Sequence, residues 1–97
     1  MTTRYRVEIA SHVQATRVEG DYVLMDLKAG VYLGLDPVAS HIWQSLSDHG
    51  DLRRAAEDLC RDYAVEREEA LADIEAWVND LQKRGFVMLR ETPKEGG

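Results

Sequence analysis

The chain has little of what covalent and metal chemistry require. Its 97 residues include one cysteine, three histidines, two prolines and one phenylalanine. A single cysteine, Cys60, excludes an internal disulfide and any zinc pattern built on thiolates, and it fits a reducing compartment. His12, His41 and His49 fall on different segments without ligand spacing, so no metal is expected. Gly30, Gly34 and Gly50 are isolated, which leaves no Gly-rich phosphate loop and no expected cofactor. No apolar run approaches the roughly 20 residues of a membrane span, and the first residues lack the apolar stretch of a signal peptide. The expectation is a cytoplasmic protein with no membrane partner. Positive charge is the minority, 12 Lys and Arg against 18 Asp and Glu, for a net charge of −6. Neutralising phosphates needs clustered cations, so nucleic acid is not an expected partner.

What is present suits one small globular domain over 1–97, with order expected over about 7–89 and a flexible polar tail over 90–97. Residues 12–18 alternate weakly, with Val13 and Ala15 on one face. Residues 22–27 (Tyr-Val-Leu-Met-Asp-Leu) suit a pleated surface, and residues 31–35 (Val-Tyr-Leu-Gly-Leu) form a returning strand. Glu19, Gly20 and Asp21 mark one turn, and Lys28, Ala29 and Gly30 another, with Gly30 expected in a left-handed conformation. This makes a three-stranded antiparallel meander. Residues 7–10 and 86–89 read as short extended pieces.

Asp36 and Pro37 announce a helix, because Asp accepts from the first free N–H groups and Pro suits the first helical position. Val38, Ala39, Ile42, Trp43 and Leu46 give that helix an apolar face to about Ser47. Asp51 caps a second helix, with Leu52, Ala55, Ala56, Leu59, Cys60 and Tyr63 as its stripe and Asp58 and Asp62 turned away. Val65 reads as a buried anchor in the following link. The third helix, about 66–84, buries Leu71, Ile74, Trp77, Val78 and Leu81, and Gly85 ends it. Strands followed by three helices make an α+β fold with winged-helix-like content.

Catalysis finds no positive support. Cys60 lies on an apolar stripe and reads as a structural thiol rather than a nucleophile. Eighteen acids in this length guarantee chance carboxylate pairs. A winged helix would offer its third helix to DNA, but Glu66, Glu68, Glu69, Asp73, Glu75 and Asp80 would repel phosphate there. The strand at 31–35 remains: as an edge strand it would offer unpaired backbone groups to another chain. Trp43 and Trp77 default to core, yet Trp77 also suits a groove between helix and edge strand, with Tyr32 on the opposite sheet face from Val31 and Leu33.

Tyr22 to Asp26 in sequence, Gly30 through Pro37, Ile42, Trp43 and Leu46 resemble the strand-to-helix region of PqqD-like proteins. Leu59, Tyr63, Val65, Ala70, Asp73, Ile74, Leu81, Gly85, Phe86 and Val87 continue that pattern in order. The run around Gly30 and the Ile-Trp pair look closest to the stand-alone recognition elements of lasso peptide clusters, although Asp36 stands where that pattern often has Asn. The resemblance implies a non-catalytic recognition element for ribosomally made, post-translationally modified peptides (RiPPs). It implies that the leader of a precursor peptide adds as a strand beside the third strand, against the third helix. The implied partners are that precursor, a separate transglutaminase-like cysteine protease and the macrocyclising synthetase. Val31, Tyr32, Leu33, Gly34 and Leu35 would then supply the backbone, Leu33, Ile74, Trp77 and Leu81 an apolar pocket, and Asp73 and Asp80 polar contacts. A chaperone of pyrroloquinoline quinone synthesis and an acidic winged-helix regulator stay open as alternatives.

Overall fold

The computed structural model describes the backbone of residues 3–93 and the side chains of residues 6–90. The order is β1 (Thr3–Ile9), β2 (Val13–Val18), β3 (Asp21–Asp26), β4 (Val31–Gly34), α1 (Pro37–His49), α2 (Leu52–Asp62), α3 (Arg67–Lys83) and β5 (Val87–Pro93). The α+β arrangement of a three-stranded antiparallel sheet followed by three helices is as the sequence predicts. The strand order is β2-β3-β4, with Leu24 opposite Ala15 on one side and Leu33 on the other.

A second sheet was not foreseen. β1 pairs antiparallel with β5, Val7 opposite Leu89 and Ile9 opposite Val87. Two segments expected to be loose, 3–6 and 90–93, belong to these strands; residues 94–97 of the expected tail lie outside the described residues.

The helices start where local chemistry puts them. The Asp36 carboxylate accepts from Ala39 N–H at 2.7 Å, and Pro37 follows at the first helical position. Asp51 accepts from Arg53 N–H at 2.9 Å. α1 runs two residues past the predicted end and stops at Gly50, whose φ of 70° is left-handed. A Cβ there would meet the Val7 carbonyl at 2.8 Å, and Val7 N–H donates to the Gly50 carbonyl at 2.8 Å. The α1–α2 junction is thus pinned to β1 and suits only glycine.

The core joins both sheets to the helices through Trp43, Phe86, Leu24, Ile74, Val78 and Leu81, all essentially without exposed surface. Burying each such side chain is worth about 1.5–3 kcal/mol relative to leaving it in water. Two expected core positions are instead exposed: Val38 and Val65. Val38 lies in the first turn of α1, and Val65 sits in the α2–α3 link. Ser40 is buried, accepts from Tyr22 N–H at 2.9 Å and faces the Leu35 carbonyl at 3.5 Å, so α1 is tied to the sheet at the end of β4.

Candidate functional site

Among the described residues β4 has one neighbour, β3, and no strand on its other side. Leu35 N–H donates to the Tyr22 carbonyl at 2.9 Å. In an antiparallel pair the backbone groups of successive residues alternate between facing the partner and facing away. Leu33 and Val31 therefore face β3, and Tyr32 and Gly34 turn their N–H and C=O toward the open side. The side chains alternate on the other axis. Tyr32 projects from the outer face and is 67% exposed. Leu33, opposite the buried Leu24, packs against the core. Leu35 is buried and anchors the strand rather than displaying it.

The turn that leads into β4 is fixed by Asp26. Its carboxylate accepts from the N–H groups of Lys28 and Ala29, both at 2.9 Å. The Ala29 amide holds this buried carboxyl below the usual range, assisted by the Lys28 amide and by the charges of His12 and Lys28, against the upward pull of burial. His12 also reaches the Gly85 carbonyl at 3.1 Å, which links the hairpin to the end of α3.

On α3 the buried stripe is Ala70, Ile74, Val78 and Leu81. By helical periodicity Trp77, Asp73 and Asp80 lie to one side of it, and Leu71, Glu75 and Asn79 to the other. Ile74 and Leu81 have no exposed surface. Their expected part as pocket lining reduces to a floor beneath other side chains, since a ligand cannot touch them without opening the core. Trp77 is half-buried against the same core as Leu33. Asp73 is exposed, and Asp80 is engaged by Arg84 at 3.2 Å. The accessible candidates are thus the outward backbone of Tyr32 and Gly34 with the side chains of Val31, Leu33, Trp77, Asp73 and Asp80. Arg84 reads from the sequence as a basic residue closing the helix and not as a partner of Asp80, although their i, i+4 spacing was the available signal.

The histidines are more engaged than their spacing suggested. His41 Nε2 lies 2.6 Å from an Asp62 carboxylate oxygen, and His49 Nε2 lies 3.3 Å from Asp58, which also accepts from the Ser45 hydroxyl at 2.9 Å. Asp58 thus lies at the α1–α2 interface instead of turning away. Burial raises its carboxyl and is the largest single influence, but the bonds from His49 and Ser45 and the charge of Arg61 together hold it below the usual range. Among the described residues no group of three or more His, Cys, Asp or Glu could hold a metal ion, and no helix is long and apolar enough to cross a membrane. Cys60 is half-buried against the core.

An open edge strand and a Trp-bearing helix packed against one core, on this α+β frame, have the form of a PqqD-like RiPP recognition element. Residues 21–87 match the family described as PqqD, coenzyme PQQ synthesis protein D, and the chain belongs to that family. Two solved structures are similar along nearly the whole chain. TbiB1 in complex with the TbiA(beta) leader peptide is 26% identical, with a TM-score of 0.79, covering 93% of this chain and 96% of that one. A lasso peptide synthetase B1 complexed with the leader peptide is 29% identical, with a TM-score of 0.79, covering 86% and 98%. Comparison with curated proteins gave no match.

Proposed function

We propose that this protein binds the leader segment of a ribosomally made precursor peptide, without catalysis, as a strand added to the open edge of β4. The observation that carries the reading is that edge, with the backbone of Tyr32 and Gly34 free to pair, in a chain whose two structural neighbours are leader-peptide complexes. Main-chain pairing supplies affinity, and side-chain pockets at alternate positions supply specificity. Leu33 and Trp77 form the apolar contact over the floor of Ile74 and Leu81, and Asp73 and Asp80 meet polar or basic leader groups. Val31 and Leu35 set the ends of the pairing segment.

In this reading the protein presents the precursor to a separate maturation enzyme in the cytoplasm, where the precursor is made. For a lasso pathway that enzyme is a transglutaminase-like cysteine protease, and the macrocyclising synthetase is a further partner. The whole of 1–97 acts as one recognition domain. The family match also favours a second reading, a carrier in pyrroloquinoline quinone synthesis, which the choice of peptide separates from the first. Titrating fluorescently labelled leader peptides against the protein tests both. Saturable micromolar binding of a lasso-type leader, weakened about tenfold or more by Trp77→Ala, is expected. Absence of saturation with every leader tried overturns leader binding, and preference for the quinone-pathway precursor selects the second reading.

A further inference from the structure

Across the buried stripe of α3 from Trp77, a cavity of about 320 Å³ opens between the start of α2, α3 and β5. Its described lining is Leu52, Val78, Leu89, Glu75 and Asn79. Leu52 and Val78 belong to the buried core and Leu89 packs against it, so the described floor is aliphatic. Glu75 and Asn79 stand one helical turn apart on the rim, both exposed. Four carboxylates on the helices have a basic partner, Glu57 in Arg67, Asp58 in Arg61 and His49, Asp62 in His41 and Asp80 in Arg84, while Glu68, Glu69 and Asp73 on α3 have none among the described residues. Glu75 has no such partner among the described residues, and Asn79 keeps both ends of its amide free.

We propose that this cavity is a second docking site, distinct from the β4 edge, and that it takes an arginine side chain of a protein partner. The cavity and an arginine side chain are chemically complementary. An arginine stem covers aliphatic surface while its charged head stays at the rim. The planar guanidinium donates two parallel bonds to one carboxylate, here Glu75, and keeps donors for the Asn79 carbonyl oxygen. The uncompensated acids along the same helix, Glu68 and Glu69 in its first turn, add attraction for a basic segment. A neutral apolar side chain would fill the floor but leave Glu75 without a partner.

The test is a nuclear magnetic resonance titration of the isotope-labelled full chain with N-acetyl-arginine methylamide, and with the isosteric, uncharged N-acetyl-citrulline methylamide as control. Saturable shifts confined to Leu52, Asn79 and Leu89 are expected with the arginine probe. They weaken by about two- to fivefold with the citrulline probe or in Glu75→Gln, the scale of an exposed ion pair. Glu75→Gln removes one exposed charge, so its spectrum should otherwise be that of the folded parent, and leader affinity should not change. Shifts that never saturate, that are equal for both probes, or that persist in Glu75→Gln overturn the proposal. Shifts centred on Tyr32 and Trp77 would place the arginine at the leader site and overturn it as well, leaving leader binding intact.

Discussion

Asp58 shows how a single side chain sets a condition on the whole molecule. It sits between α1 and α2, bonded to Ser45 and His49, and its carboxyl titrates below the usual value, as does that of Asp26. A carboxyl depressed in the folded state contributes stability that is full above its unfolded value, about 3.9, and is lost as pH falls through the folded value. Thermal melts should therefore be flat in this respect near neutrality and fall below about pH 4. In Asp58→Asn the acid limb should be shallower, because one of the two proton-linked groups is gone; an unchanged slope would deny Asp58 that part. Gly50 is the other decisive residue. Gly50→Ala forces a side chain into a left-handed backbone and against the Val7 carbonyl. It should cost about 2 kcal/mol or more in urea unfolding, whereas an exposed strand glycine such as Gly34, with open space around it, should tolerate alanine.

At the scale of elements, the direction of backbone groups along β4 decides where a proline is informative. Tyr32 N–H faces the open side, so Tyr32→Pro removes a donor from the edge while leaving the pairing to β3; proline is tolerated on edge strands in that orientation. Leader affinity should fall about tenfold or more in Tyr32→Pro and much less in Tyr32→Ala, since a net hydrogen bond with its geometric consequences is worth about 1–1.5 kcal/mol. Equal losses in the two variants would mean that the tyrosine ring, not the strand edge, is what the peptide reads. The three-stranded sheet and the helices were legible because their signals are local: a glycine turn before β3, another before β4, and Asp36, Pro37 and Asp51 at helix starts. β1 and β5 were only half legible. Val7, Ile9, Val87 and Leu89 suggest extended chain, but nothing local says that strands some eighty residues apart pair with each other. The same limit applies to the site. The order of residues marks Trp77 as a candidate, while the complete burial of Ile74 and Leu81 depends on what other elements lay over them.

For the molecule as a whole, the two sheets divide the work. β2, β3 and β4 carry the open edge, and β1 with β5 closes the chain ends over the helices, with Ala10 N–H donating to the Phe86 carbonyl at 3.0 Å and Val7 tied to Gly50. Glu8 and Arg90 add an exposed two-point ion pair across that sheet, which contributes little in water. The weight rests on buried Val87 and Val7, at 1% and 5% exposure. Two truncations separate these contributions. Removing residues 91–97 keeps the pairs from Ile9 with Val87 to Arg6 with Arg90 and should cost about 1 kcal/mol, the scale of a net backbone hydrogen bond or so. Removing residues 87–97 strips Val87 and Leu89, leaves β1 without a partner and uncovers Val7. That loss of apolar burial is worth about 3–5 kcal/mol, a large part of the roughly 5–15 kcal/mol that stabilises a domain. Urea denaturation followed by circular dichroism should show a modest shift in midpoint for the first truncation and a broad, early or absent transition for the second. If both behave alike, the β1–β5 sheet does not close the core, and the open edge of β4 stands on the helices alone.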